Sequence, residues 1–212
     1  MPALSLAQAS VIPLIPLSEF SQPPLYFGSA QLDSTIAYRQ GVAWLGAQPD
    51  LPGVDNGGPT YYYQMETLDA TLAVPFTVAG MPLRYTATIR AQNSPNVLYP
   101  TEDFTIGGRY TVRGFDGNTV LAAEQGVFLR NDLEMPIRGT GQAIYVGIDG
   151  GEVFGPSAQQ LIGRRLAGAV IGLRGNLSKH VSYDAFIGGP LYEPKGFPDR
   201  WPVLGFNLTI QL

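Results

Sequence analysis

An arginine and an aspartate, Arg113 and Asp116, stand among glycines in the stretch GGRYTVRGFDG at 107–117. A guanidinium carried on such a flexible turn can fork onto a carboxylate through two parallel hydrogen bonds, which a lysine cannot do. Further charges occur at Arg130, Asp132 and Glu134 in GVFLRNDLEMP, and at Asp149 in VGIDGG (146–151). Asp132 and Glu134 are two apart, the spacing of neighbours on one strand face, but no cleft and no source of a raised pKa accompanies them. They read as a charge ladder rather than the acid and base of a hydrolase. Asp149 with Gly150 and Gly151 lacks the other spaced oxygens of a calcium turn. The chain has no cysteine and one histidine, His180, which sits in a short turn. Thiolate chemistry, disulfides and Cys- or His-rich metal centres are excluded, so no catalytic residue, metal or cofactor is expected.

What positions these charges is a set of strands. The 212 residues hold 26 Gly, 18 Pro, 11 Tyr and 10 Phe, a strand-and-turn composition. From residue 31 a period-two alternation runs through eight strands. They begin with QLDSTIAYR and YYYQMETLDATLAVPF, where Gln64 and Glu66 break the apolar parity, as a bulge or an extension beyond the apolar zone would. PLRYTATIRAQ, GVFLRNDLEMP, GQAIYVGIDGGEV and RRLAGAVIGLRG follow, the last nearly continuous in apolar and small residues. VSYDAFIGG and VLGFNLTIQL complete the set. Short connections near 78–82, 136–140 and 175–180 alternate with long ones at 46–59, 93–124, 152–164 and 189–202, the rhythm of a meander with one short-turn rim and one long-loop rim. Residues 1–30, with five prolines and no clear periodicity, read as an irregular segment without a basic export signal.

The face opposite the apolar parity decides the solvent. It carries Arg84, Arg90, Arg130, Asp132, Asp149 and Asp184 in mid-strand, yet charged residues are only 14% of the chain where roughly a quarter is typical. Aromatic residues gather near strand ends. Such strands suit a lipid-facing band around a polar lumen, the design of an outer-membrane β-barrel. The competing reading is a soluble β-sandwich that binds carbohydrate or protein through Tyr and Trp. A net charge of −4 with two lysines offers no basic face for nucleic acid. No apolar run is long enough for a transmembrane helix. Eight strands close into a barrel too narrow for a long inserted loop, so the loop stays outside or the strands belong to a larger cylinder.

GGRYTVRGFDG, followed by AAEQGVFLRNDL at 122–133, resembles the outer-membrane transporters of two-partner secretion, the TpsB family of haemolysin activators and FhaC-like proteins in the Omp85 superfamily. VGIDGG resembles the superfamily's aspartate motif, with Gly147 where a bulky residue is common. The resemblance covers residues 31–212 and implies an all-β fold, an antiparallel transmembrane barrel segment forming the C-terminal half of a barrel of about sixteen strands. It implies that the loop at 93–124 folds back into the lumen, that Arg113, Gly114, Phe115, Asp116 and Gly117 form its motif, and that Arg113 pairs with Asp149 on the wall. Arg130, Asp132 and Glu134 then form a lumen charge network. The implied function is passage of an unfolded exoprotein from periplasm to cell surface. Partners implied are that secreted protein, outer-membrane lipid and the barrel assembly machinery. The chain reads as a fragment lacking the periplasmic POTRA modules, and it ends in Leu212 where the family favours a terminal aromatic.

Overall fold

The computed structural model describes residues 14–21, 23–43, 49–51, 57–198 and 200–211. Twelve strands follow in order: β1 (Leu14–Ser21), β2 (Leu25–Phe27), β3 (Ala30–Gly41), β4 (Gln64–Val78), β5 (Met81–Asn93), β6 (Phe104–Ile106), β7 (Leu121–Ala123), β8 (Gln125–Ile137), β9 (Gln142–Phe154), β10 (Arg165–Ser178), β11 (Val181–Tyr192) and β12 (Val203–Ile210). Ten form one antiparallel sheet in the order β1-β3-β4-β5-β8-β9-β10-β11-β12, with β2 beside β3. Apart from the β1–β3 step and the β5–β8 step, which passes over β6 and β7, sequence neighbours pair, and one short 3-10 turn at Ser157–Gln160 is the helical piece among the described residues.

The eight strands read from periodicity are β3 to β5 and β8 to β12. Two expectations need correction. Residues 1–30 are not irregular throughout, because β1 and β2 lie within them and both pair with β3; residues 1–13 lie outside the described residues. Prolines hid β1. An edge strand tolerates a residue without an N–H, and Pro16 sits beside a register shift in the β1–β3 ladder. The long connection at 93–124, which shows no periodicity in the sequence, also holds strands, since β6 and β7 pair into a two-stranded ribbon inside it. Gln64 and Glu66 are settled as an extension: β3 and β4 run in unbroken register from Gln64 to Ala73. At 15 residues β4 outruns the roughly 9–11 that a tilted strand needs to cross hydrocarbon.

The parity reading holds across the sheet. Leu129, Leu133, Val146, Ile148, Ile171, Leu204, Phe206 and Ile210 are exposed on one face, Ile148 at 60% and Leu204 at 75%. No second sheet covers that face among the described residues; Leu212 lies outside them. Residues of the other parity, Phe128, Asp132, Tyr145, Asp149, Leu166 and Val170, are buried. What buries them is the 94–124 segment. Phe104, Ile106, Val112, Phe115 and Leu121 from that segment pack with Phe128, Val153, Leu166 and Phe197 into the main apolar core. Near the long-loop rim the inner wall is thus a packed core and not a wet surface, and burying five large side chains there offsets much of the entropy lost in ordering the loop.

Candidate functional site

The 94–124 segment is stapled at both stems. Gln92 Nε2 donates to the carbonyls of Glu102 (2.8 Å) and Glu124 (3.2 Å), and Gln125 Nε2 donates to that of Ser94 (2.8 Å). Glu124, fully buried, accepts hydrogen bonds from the Ser157 backbone N–H and hydroxyl, tying the loop's return to the 3-10 turn after β9. Asp103 on the outgoing stem has its carboxyl pushed up to about 6, first by burial and then by the neighbouring Glu124 charge.

Between those stems the motif residues meet the wall. Arg113 carries its guanidinium onto the buried face of the sheet with 1% of its side chain exposed. Its Nε donates to Asp149 Oδ2 at 2.7 Å and its Nη2 to Asp149 Oδ1 at 2.8 Å, a side-on bidentate pair. Its backbone N–H also reaches Asp149 Oδ2, at 3.0 Å. A second carboxylate completes the arrangement: Nη2 donates to Asp132 Oδ1 at 2.5 Å. Burial would by itself pull the Arg113 pKa down, but the bonds and charges of Asp149 and Asp132 more than reverse this and hold it above the usual arginine range.

Glycines make the close approach possible. Gly114 has φ +100°, and a Cβ there would strike the Gly189 carbonyl. On the facing strand a Cβ at Gly168 would overlap the Arg113 carbonyl oxygen. Gly147, where the resemblance leads one to look for a bulky residue, leaves the space the guanidinium fills: a Cβ there would stand 2.5 Å from Arg113 Nη2 and 2.7 Å from Asp132 Oδ1. Phe115 packs edge-on against Phe197, ring centroids 5.8 Å apart. Asp116 accepts a hydrogen bond from the Asn118 N–H at 2.8 Å, and Gly117, at φ +77°, turns the chain back.

The ladder of Arg130, Asp132 and Glu134 joins the same cluster. Arg130 lies opposite Asp149 in the β8–β9 register, its Nε 3.9 Å from Asp149 Oδ2, and its Nη1 donates to the Tyr110 carbonyl at 3.4 Å. Sequence reasoning passed over two members. Arg174 on β10 donates to Asp132 Oδ2 at 2.7 Å and stands 3.6 Å from both Glu134 and Asp184. Tyr145 lies under it, its ring centroid 3.7 Å from the guanidinium carbon, and its hydroxyl donates to Asp184 at 2.7 Å. Arg174 falls on the inward parity of Gly168, Val170 and Gly172, so counting by twos along RRLAGAVIGLRG would have found it. Toward the short turns an open polar cavity of about 700 Å³ lies below the cluster, lined among others by Arg84, Glu134, Gln142, Asn176 and Thr209.

The chain as a whole is similar to known outer-membrane transporters. The family described as haemolysin secretion/activation protein ShlB/FhaC/HecB matches residues 22–175. Outer membrane transporter CdiB-2 of Burkholderia pseudomallei (strain 1026b) is 45% identical over 189 residues, 88% of this chain and 32% of that protein. Outer membrane transporter CdiB of Dickeya dadantii (strain 3937) is 26% identical over 88% of this chain and 33% of its own length. The solved CdiB from Acinetobacter baumannii superposes with a TM-score of 0.70 at 30% identity, covering 88% of this chain and 31% of that one. CdiB from Escherichia coli, at 23% identity and a TM-score of 0.76, shares the fold. The chain spans about a third of the length of the relatives it matches.

Proposed function

Since the chain belongs to the haemolysin secretion/activation (ShlB/FhaC/HecB) family, we propose that it forms part of an outer-membrane pore that moves an unfolded exoprotein from periplasm to cell surface. The observation that carries this is a doubly paired arginine, Arg113 on Asp149 and Asp132, buried inside a sheet whose other face is bare and apolar. The apolar face meets lipid, and the long-loop rim faces outward. The sheet from β1 to β12 makes up the C-terminal half of the barrel, and the loop docked by Gly114 to Gly117 closes its lumen. Arg130 and Asp132 hold that loop, and with Glu134 they set the charge of the passage.

The chemistry needed is positional. The polar cavity below the loop gives an extended chain hydroxyl, amide and charged partners without a deep apolar pocket to trap it. Folding of the partner outside supplies the drive, so no nucleotide site is required. The secreted partner is an exoprotein of the TpsA type, and recognition of it belongs to periplasmic modules beyond this segment.

The test replaces the matching third of the Burkholderia relative with this segment and follows both the chimera and its cargo. The chimera is expected in the outer membrane, soluble only with detergent, with cargo in the medium. A chimera that stays soluble without detergent would contradict the reading.

A further inference from the structure

We propose that Arg174 is the cation that takes over Asp132 when the loop leaves its seat, so that the wall is built to release Arg113 as well as to hold it. This rests on the reading of Arg113, Asp149 and Asp132 as the docked state of the loop.

Asp132 divides its two oxygens. Oδ1 accepts from Arg113 in the loop, and Oδ2 accepts from Arg174 in the wall. All the ion pairs of Arg174 among the described residues run to Asp132, Glu134 and Asp184, and its ring contact is Tyr145, every one of them on a strand. It makes no bond to the loop. Its donors are also under-used. The 3.6 Å separations to Glu134 and Asp184 are too long for hydrogen bonds, and its Nε is buried without a partner. Asp149 has a similar reserve in Arg130, held at 3.9 Å while Arg113 Nε occupies the same oxygen at 2.7 Å.

Three guanidinium groups therefore face four carboxylates with the loop in place: Arg113, Arg130 and Arg174 against Asp132, Glu134, Asp149 and Asp184. Pulling one partner from a buried pair is costly because the other is left bare. Here each carboxylate that grips Arg113 has a second arginine within reach, and undocking becomes an exchange of partners between two discrete arrangements. A wall without Arg174 would leave Asp132 dependent on Arg113, and the loop would be held more tightly.

The sign of that effect separates this role from simple scaffolding. In the chimeric transporter in planar bilayers, Arg174→Gln is expected to lower opening frequency about tenfold, the loss of one charge-assisted contact from the undocked state. Arg174→Lys, which keeps the charge, stays close to wild type. Opening that is unchanged or more frequent in Arg174→Gln would overturn the proposal. Asp132→Asn removes the carboxylate both arginines serve, so adding Arg174→Gln to it should change nothing; a further closing in that double variant would also overturn it. This comparison stands even where the single variant assembles poorly. If Arg113→Ala leaves opening unaltered, the docking reading itself fails; if Arg113→Ala opens the pore while Arg174→Gln does not close it, the partner exchange alone fails.

Discussion

Arg113→Ala in the chimeric transporter is expected to raise opening frequency about a hundredfold and to cut secretion to a small fraction of wild type. The side chain is almost wholly buried and supplies two bonds to Asp149 and one to Asp132. Its loss takes three charge-assisted bonds from the docked state; with Arg130 and Arg174 close enough to cover part of Asp149 and Asp132, the cost stands at the lower end for a buried pair, about 3 kcal/mol, where each 1.4 kcal/mol is a factor of ten in the docked population. The conservative change is informative as well. Arg113→Lys keeps the charge without the planar fork, so it reaches one carboxylate oxygen at a time and should fall between alanine and wild type. Secretion falls because the untethered loop no longer lines the passage or closes it behind the travelling chain. Conductance in planar bilayers and cargo in the medium check both effects. An Arg113→Ala channel that behaves as wild type in both would show that the pair does not hold the loop.

Gly168→Ala is expected to open the pore by at least about fivefold without touching either charge, since overpacking a filled contact costs about 1–3 kcal/mol. A Cβ at this position falls on the Arg113 carbonyl oxygen, so the loop backbone would have to withdraw from β10. Backing off by even a fraction of an ångström lengthens all three Arg113 side-chain bonds together, because the guanidinium is carried on the same short turn. The strand itself tolerates alanine, as Ala167 and Ala169 flank the site in β10. Ala169→Val, which points outward, serves as the control and should leave opening unchanged. The same bilayer recording decides the matter. Wild-type opening in Gly168→Ala would mean that the loop is not seated on β10 in the membrane.

Much of this arrangement could be read from the residues. The strands legible from sequence were those whose faces differ most in chemistry: VLGFNLTIQL and GQAIYVGIDGGEV put Leu or Ile on one side and Asn, Thr or Asp on the other, and period two marks them directly. That parity also turned Asp149 and Asp132 inward. β1 was missed because proline breaks the propensity argument, while an edge position makes the missing N–H harmless. β6 and β7 were missed because three residues are too few to show any period. Arg174 was lost in a strand of small residues, where both faces look alike. Its neighbours Gly168 and Gly172 are small for a reason that becomes visible only when the loop and Tyr145 are seen occupying the space beside them. The apolar lining near the long-loop rim was hidden in the same way. Phe128 falls on the polar parity, and what covers it is a loop whose Phe104, Ile106 and Val112 carry no repeating pattern.

Whether the 94–124 segment rests against the lumen wall and leaves it during transport can be tested with one engineered bond. These 212 residues hold no cysteine, so a pair placed at Val112 and Gly151 has no competitor within the segment. Val112 Cγ2 stands 3.0 Å from where a Cβ on Gly151 would lie, a separation that a disulfide spans. The Val112→Cys, Gly151→Cys chimera is predicted to cross-link in intact outer membranes and to stop secreting until a reductant is added, after which secretion resumes. Two free thiols that both react with a small probe in the assembled barrel, or secretion that continues at the wild-type rate across the closed bond, would contradict the account.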